Sequence, residues 1–201
     1  LVESLGRYSA VLHAMPGRDR NALFDQIAMV SVAETAEKSH EAITPRDVVP
    51  LVVDLCLRPH QVALAQPGAL TRLYDPAFGT GGFLVEAARK LKVYSPSAML
   101  SVYGHEVLTR TAAMGRGNLL VSALLGKFDK FQLNGQSSLG ENGGTLPAAH
   151  YVMCNPPYGD KWTDDRLAVQ AQQGGRFRAL PAISDGQMLF MQQAVDRLKT
   201  S

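Results

Sequence analysis

Residues 153–162 read MCNPPYGDKW. Asn155 and Tyr158 flank Pro156 and Pro157, and neither proline has an N–H or a free φ, so no strand or helix runs through them. A surface turn would explain the prolines but not the amide and the ring. The Asn155 side-chain oxygen and the Pro156 carbonyl, which proline chemistry leaves free and stiff, make two acceptors. An amino group brings two N–H donors and fits that pair. Tyr158 offers a face on which a planar group can stack. Amino group and planar group together describe a nucleobase or an amide.

A second constellation is DPAFGTGGF, residues 75–83. Gly79, Gly81 and Gly82 permit positive φ and close approach of a ligand to the backbone. The stretch has no GKS/T and its spacing is not GxGxxG, so neither common phosphate loop fits. A ligand with a positive centre would instead want the Asp75 carboxylate. Glu106, at the tip of the next expected strand, is placed to take ribose hydroxyls.

These residues need elements to hold them. ITPRDVVPLVVDLCLRP, residues 43–59, predicts a helix with Thr44 as N-cap, Pro45 at the first helical position and Asp47 in the first turn. Pro50 falls inside that pattern and predicts a kink, and Pro59 a stop. Residues 60–70 read as a loop. A strand is expected over 70–74, the glycine loop next, then a helix from Gly82 burying Phe83, Leu84, Ala87, Ala88 and Leu91. Further strands are expected over 99–107, 130–136 and 150–154, a helix over 109–124, and a loop over 141–150. Residues 159–182 read as irregular. The final helix has Ser184 and Gln187 at capping-box spacing and Met188, Met191, Val195 and Leu198 on one face.

The alternation of strands and helices predicts an α/β fold with a doubly wound, mostly parallel sheet. Residues 1–42 form an N-terminal helical segment in this reading, and 43–201 a core cut short after its fourth strand. A further strand, or a partner covering the sheet edge, is expected beyond it.

Composition narrows the classes. The 201 residues are 46% hydrophobic and 19% charged, the balance of a globular domain. No apolar run nears the roughly 20 residues that cross a bilayer, and residues 1–10 do not read as a signal peptide, so no membrane partner is expected. Cys56 and Cys154 form no CxxC and the five histidines are scattered, so no metal site is expected and the reading is a reducing cytoplasm. A net charge of +2 is small for a stand-alone nucleic-acid binder. Lys161, Arg166, Arg176 and Arg178 are candidates for phosphate contacts, offset by Asp160, Asp164 and Asp165.

DPAFGTGGF, NPPYG and the upstream TPRDVV together resemble the modification subunits of type I restriction–modification systems. These are adenine-N6 DNA methyltransferases that use S-adenosylmethionine (SAM) on a Rossmann-like fold. The resemblance covers roughly residues 4–199, with LGRYSAVL, GHEV, NLL and RFRALPAISDGQMLFMQQAVDRLK as further pieces. It implies that Thr44 and Pro45 close over the methionine end of SAM. Asp75, Ala77, Gly79, Thr80, Gly81 and Gly82 would line the cofactor, and Glu106 would hold its ribose. Asn155 and the Pro156 carbonyl would accept from the target amino group, Pro157 would fix the loop, and Tyr158 would stack on the flipped base. Gln136 stands where the family usually has an acid for the cofactor's adenine; its amide oxygen still accepts, more weakly. Ile43 replaces the frequent aromatic before Thr-Pro. The implied partners are DNA, a separate specificity subunit and a restriction subunit. A protein-glutamine or RNA methyltransferase, which can share NPPY, and a non-catalytic SAM-binding scaffold are the alternatives.

Overall fold

The computed structural model describes residues 14–16, 19, 23, 44, 45, 47–66, 68–124 and 129–198. The chain divides into two compact units, residues 1–40 and 41–201. The helical patterns expected over 2–38 lie almost wholly outside the described residues, as does Ile43. The second unit carries the candidate site.

Four strands make one all-parallel sheet: β1 (Leu70–Asp75), β2 (Met99–His105), β3 (Lys130–Asn134) and β4 (Tyr151–Val152), in the order β3-β2-β1-β4. β2 is buried at six of its seven positions and β1 at four of its six, whereas β3 and β4 are half-buried at best. Central strands of a parallel sheet are covered on both faces, so they read as continuous apolar runs. Alternation sends Leu73 and Val102 into the main core, and Tyr74 and Tyr103 into a smaller one with Leu146 and Ala149.

The register aligns the carboxyl ends. Tyr74 pairs with Tyr103 and Val152, and His105 with Asn134. The chain steps from β1 to β2 to β3 in one direction, and β4 then returns to the far side of β1. The order therefore reverses between β1 and β4, and open α/β sheets bind ligands at that crevice. Asp75 ends one of these two strands, and Asn155 lies just beyond the other.

The helices are α1 (Val48–Leu57), α2 (Gln61–Leu64), α3 (Gly82–Tyr94), α4 (Thr109–Leu124), α5 (Arg166–Ala171) and α6 (Gln187–Arg197), with a 3-10 turn at Arg58–His60 and another at Glu141–Gly144. α3 buries the five residues its spacing predicts, and α1 adds Val53 and Leu57 to the same core. Each large apolar side chain so buried contributes about 1.5–3 kcal/mol, which fastens the glycine loop to the sheet. A satellite core of Leu139, Trp162, Val169, Phe177 and Leu189 ties the segment after β4 to α6.

Several expectations are corrected. α1 begins at Val48 with Asp47 in the N-cap position, and Thr44 does not cap it. The Pro45 carbonyl instead receives the N–H groups of Val48 and Val49. Pro50 falls in the first turn, where an amide has no intrahelical acceptor to lose, so the helix continues past it. The expected 60–70 loop contains α2, and the expected irregular stretch contains α5. Ser184 does not cap α6, whose N-cap position is Gly186. The face bearing Met188, Met191, Val195 and Leu198 is exposed, Met191 by 59%, while Leu189 and Gln193 face inward. Tertiary partners for a buried amide, invisible to periodicity, rotate the helix this way. Past α6 the backbone turns extended, and Leu198 forms a parallel bridge to Ala149 just ahead of β4. Among the described residues no helix is long and apolar enough to cross a membrane, and no cluster of three His, Cys, Asp or Glu could hold a metal.

Candidate active site

The floor of the site is the end of β1. Asp75 is 1% exposed, and its Oδ1 accepts the Ala77 N–H at 3.0 Å, the local turn that starts the loop. The Cys154 thiol donates to the same carboxylate. Burial pushes Asp75 up to about 7, with Glu106 adding to the rise. Burial and the neighbouring Asp75 likewise hold the Cys154 thiol well above its usual range. Among the described residues no lysine or arginine pairs with Asp75. A buried carboxylate without a cation suits a ligand that brings one. That donor set fits the positively charged methionine end of SAM.

The glycine loop is held from two sides. Phe78 N–H donates to the His105 carbonyl at 3.0 Å, and Gly79 N–H donates to Glu106 Oε2 at 3.0 Å. Gly79 and Gly81 have φ of 54° and 84°, which glycine adopts without penalty. From α4, Asn118 Nδ2 donates to the Thr80 carbonyl at 3.2 Å. Gly115 on the same helix lies so close that an added Cβ would come within 2.5 Å of the Gly79 carbonyl and 2.6 Å of the Phe78 ring.

Glu106 follows β2, and its other oxygen accepts the Leu108 N–H at 2.9 Å. Each oxygen keeps a lone pair for a hydroxyl, so a diol can still be bound. Burial raises the Glu106 pKa against the opposing effect of these N–H bonds. Gln136 is exposed, and its Oε1 already accepts from Asn142 Nδ2 at 2.9 Å.

On the β4 side, Asn155, Pro156 and Pro157 are half-buried and Tyr158 is 64% exposed, which rules out a core role for its ring. Asn155 Nδ2 donates to Thr44 Oγ1 at 3.1 Å. Thr44, 111 positions away in sequence, thus touches the NPPY loop. This contact commits the amide NH2 and leaves Oδ1 as acceptor. Among the described residues neither that oxygen nor the Pro156 carbonyl receives a hydrogen bond.

Hydrogen bonds therefore join Thr44 to Asn155, Asp75 to Ala77 and Cys154, and Gly79 to Glu106. Gly82 opens α3, while Pro45, Gln136 and Tyr158 stand exposed. Sequence reasoning missed three contributors. Gly115 and Asn118 act across the fold, with no local signal. Cys154, noted only as forming no CxxC, could have been found from its place next to Asn155. Arg176 is corrected as a phosphate contact: it is half-buried and donates to the carbonyls of Ser138, Leu139 and Gly140 at 3.1, 2.9 and 2.6 Å. Lys161, Arg166 and Arg178 remain exposed.

Residues 24–201 match the family model for N-6 DNA methylase. The methylase subunit of the type I restriction enzyme EcoKI from Escherichia coli (strain K12) is 26% identical over 171 residues, 79% of this chain and 30% of that protein. The methyltransferase subunit of a type I restriction–modification system from Streptococcus thermophilus matches with a TM-score of 0.61 at 23% identity, over 78% of this chain and 32% of that one. A structure from Listeria monocytogenes, described as a class I SAM-dependent methyltransferase, gives 0.59 at 17% identity, over 88% and 51%. The sheet and its helices have the Rossmann-like methyltransferase fold. The chain spans about a third of the length of its type I relatives.

Proposed function

The chain belongs to the N-6 DNA methylase family, and from that premise we propose that it is the catalytic core of a type I modification subunit, transferring a methyl group from SAM to the N6 amino group of adenine in DNA. The observation that carries this reading is the Asn155–Thr44 hydrogen bond, which leaves Asn155 Oδ1 and the Pro156 carbonyl as a fixed pair of acceptors. When bound, SAM supplies a methyl group already activated on a cationic sulfur.

The residues of the chain supply binding and orientation. Asp75 sets its carboxylate against the positive end, the 79–82 loop admits the cofactor close to its backbone, and Glu106 takes the ribose hydroxyls. Gln136 offers its remaining lone pair to the cofactor's adenine. The target amino nitrogen is a weak nucleophile because its lone pair is delocalised into the ring. Two acceptors on its hydrogens favour a pyramidal nitrogen and stabilise the charge that develops on it. A base inside a duplex must first leave the stack, at a few kcal/mol, and the exposed Tyr158 ring recovers part of that by stacking. A specificity subunit reads the DNA sequence, a restriction subunit is the further partner, and the complex works in the cytoplasm.

The test is methyl transfer from labelled SAM by the full-length protein with its specificity subunit, offered DNA, RNA and protein. We expect label in DNA alone, recovered on nucleoside analysis as N6-methyladenine. Label in RNA or in protein glutamine, or SAM binding without transfer, would contradict the proposal.

A further inference from the structure

Beneath the cleft runs a line of buried polar groups that the site described so far does not use. Gln193 on α6, Tyr74 on β1 and His105 on β2 are 0%, 1% and 0% exposed. Gln193 Nε2 donates to the Gly143 carbonyl at 2.8 Å and to the Tyr74 hydroxyl at 3.0 Å. That hydroxyl lies 3.1 Å from His105 Nδ1, and His105 Nε2 lies 3.2 Å from Asn134 Nδ2 at the end of β3. Asn134 also accepts the Glu106 N–H on its backbone carbonyl at 3.0 Å.

The line has one consistent direction. Both N–H bonds of Gln193 are used, and turning its amide round would set oxygen against the Gly143 carbonyl. Gln193 is therefore the donor to Tyr74. The tyrosine has a single proton, and His105 Nδ1 is its acceptor. The opposite polarity would bury that proton without a partner, at the cost of an unsatisfied donor. Burial first, then the charges of Arg176 and Arg197, push His105 down to about 4, so its ring is neutral near pH 7 and has one donor and one acceptor. Nε2 then carries the ring proton, so the Asn134 amide, drawn with Nδ2 towards the ring, has to be turned to face it with Oδ1.

Resting on the proposed function, we propose that Gln193, Tyr74 and His105 are positioning residues for the cofactor half of the site. Their one-way chain holds His105 as the Nε2–H tautomer and fixes Asn134. Asn134 in turn sets Glu106, which it bonds directly, and the loop carrying Gln136, two positions on. α6 thereby reports to the ribose and adenine contacts without touching either.

Two measurements on the full-length protein test this. Nuclear magnetic resonance of isotope-labelled histidine reads the His105 tautomer directly. We expect the Nε2–H form at pH 7 in the wild type and mixed tautomers in Tyr74→Phe. Calorimetry with S-adenosylhomocysteine should show Tyr74→Phe and His105→Leu binding about three- to tenfold more weakly, the effect of roughly 1 kcal/mol per lost hydrogen bond. His105→Gln, whose amide both accepts and donates, should recover most of the loss. An Nδ1–H tautomer in the wild type, or unchanged affinity in folded Tyr74→Phe and His105→Leu, would overturn the proposal. The tautomer is read in the wild type, so a variant that fails to fold leaves that arm intact. Wild type that binds no S-adenosylhomocysteine would strike the proposed function instead, and the tautomer would still decide the chain's direction.

Discussion

Asp75 illustrates how burial prepares one residue for a ligand. Its raised pKa means that the fold holds the proton more tightly than the unfolded chain does. In the ligand-free protein this carboxyl therefore weakens the fold as pH rises from the usual carboxylate range, near 3.8, to about 7. His105, pushed down from 6.5 to about 4, acts oppositely: it weakens the fold as pH falls through that window. Cofactor binding separates the two, because only ionised Asp75 attracts the cation. SAM affinity should rise with pH through about 7, approaching tenfold per unit on the acid side, and Asp75→Asn should flatten the profile. Calorimetry across that range checks both. The Cys154 thiol lowers the Asp75 pKa through its hydrogen bond, so Cys154→Ala should move the midpoint of the same profile upward. Asp75, Glu106 and Asn155 were legible in the sequence because each stands at the end of a strand whose limits its own neighbours mark. Arg176 was not, since only the folded 138–140 backbone shows its three acceptors.

The elements show where local signals suffice. β1, the glycine loop and the start of α3 match their expected places to within a residue, because a left-handed Gly81 leaves the chain one way to turn from strand to helix. α4 also follows its pattern, yet its role in holding the loop from Gly115 and Asn118 lies in packing. Gly115→Ala should drive a methyl into the Gly79 carbonyl and the Phe78 ring. A loss of about 1–3 kcal/mol follows from such overpacking, seen as a lower melting temperature and weaker SAM binding. α6 is the counterexample. Its methionines satisfy helical periodicity, but its buried face is chosen by Leu189 in the satellite core and by Gln193 on Tyr74 and Gly143. Leu189→Ala should cost about 2–5 kcal/mol in stability, whereas Met191→Ala, on the exposed face, should change it little. Thermal denaturation of the two variants tells the faces apart.

At the scale of the molecule, a parallel sheet whose order reverses between β1 and β4 brings Asp75 and Asn155 to one crevice. They are 80 positions apart in sequence (155 − 75), joined through Cys154. The doubly wound architecture was readable from the alternation of strands and helices. The contact between Thr44 and Asn155 was not, because no periodicity links the chain ahead of α1 to the loop after β4. With a net charge of +2, sequence-specific DNA binding should depend on a partner. Without the specificity subunit, the protein should bind target and non-target duplexes alike in competition assays, and ever more weakly as salt rises. The most direct test of the account is the rate of N6-methyladenine formation in target DNA by the full-length protein with its specificity subunit, wild type against Asn155→Ala, at saturating SAM. Loss of a preorganised acceptor should lower that rate by about 10²–10³ while SAM affinity stays unchanged. A near-normal rate in Asn155→Ala would contradict it.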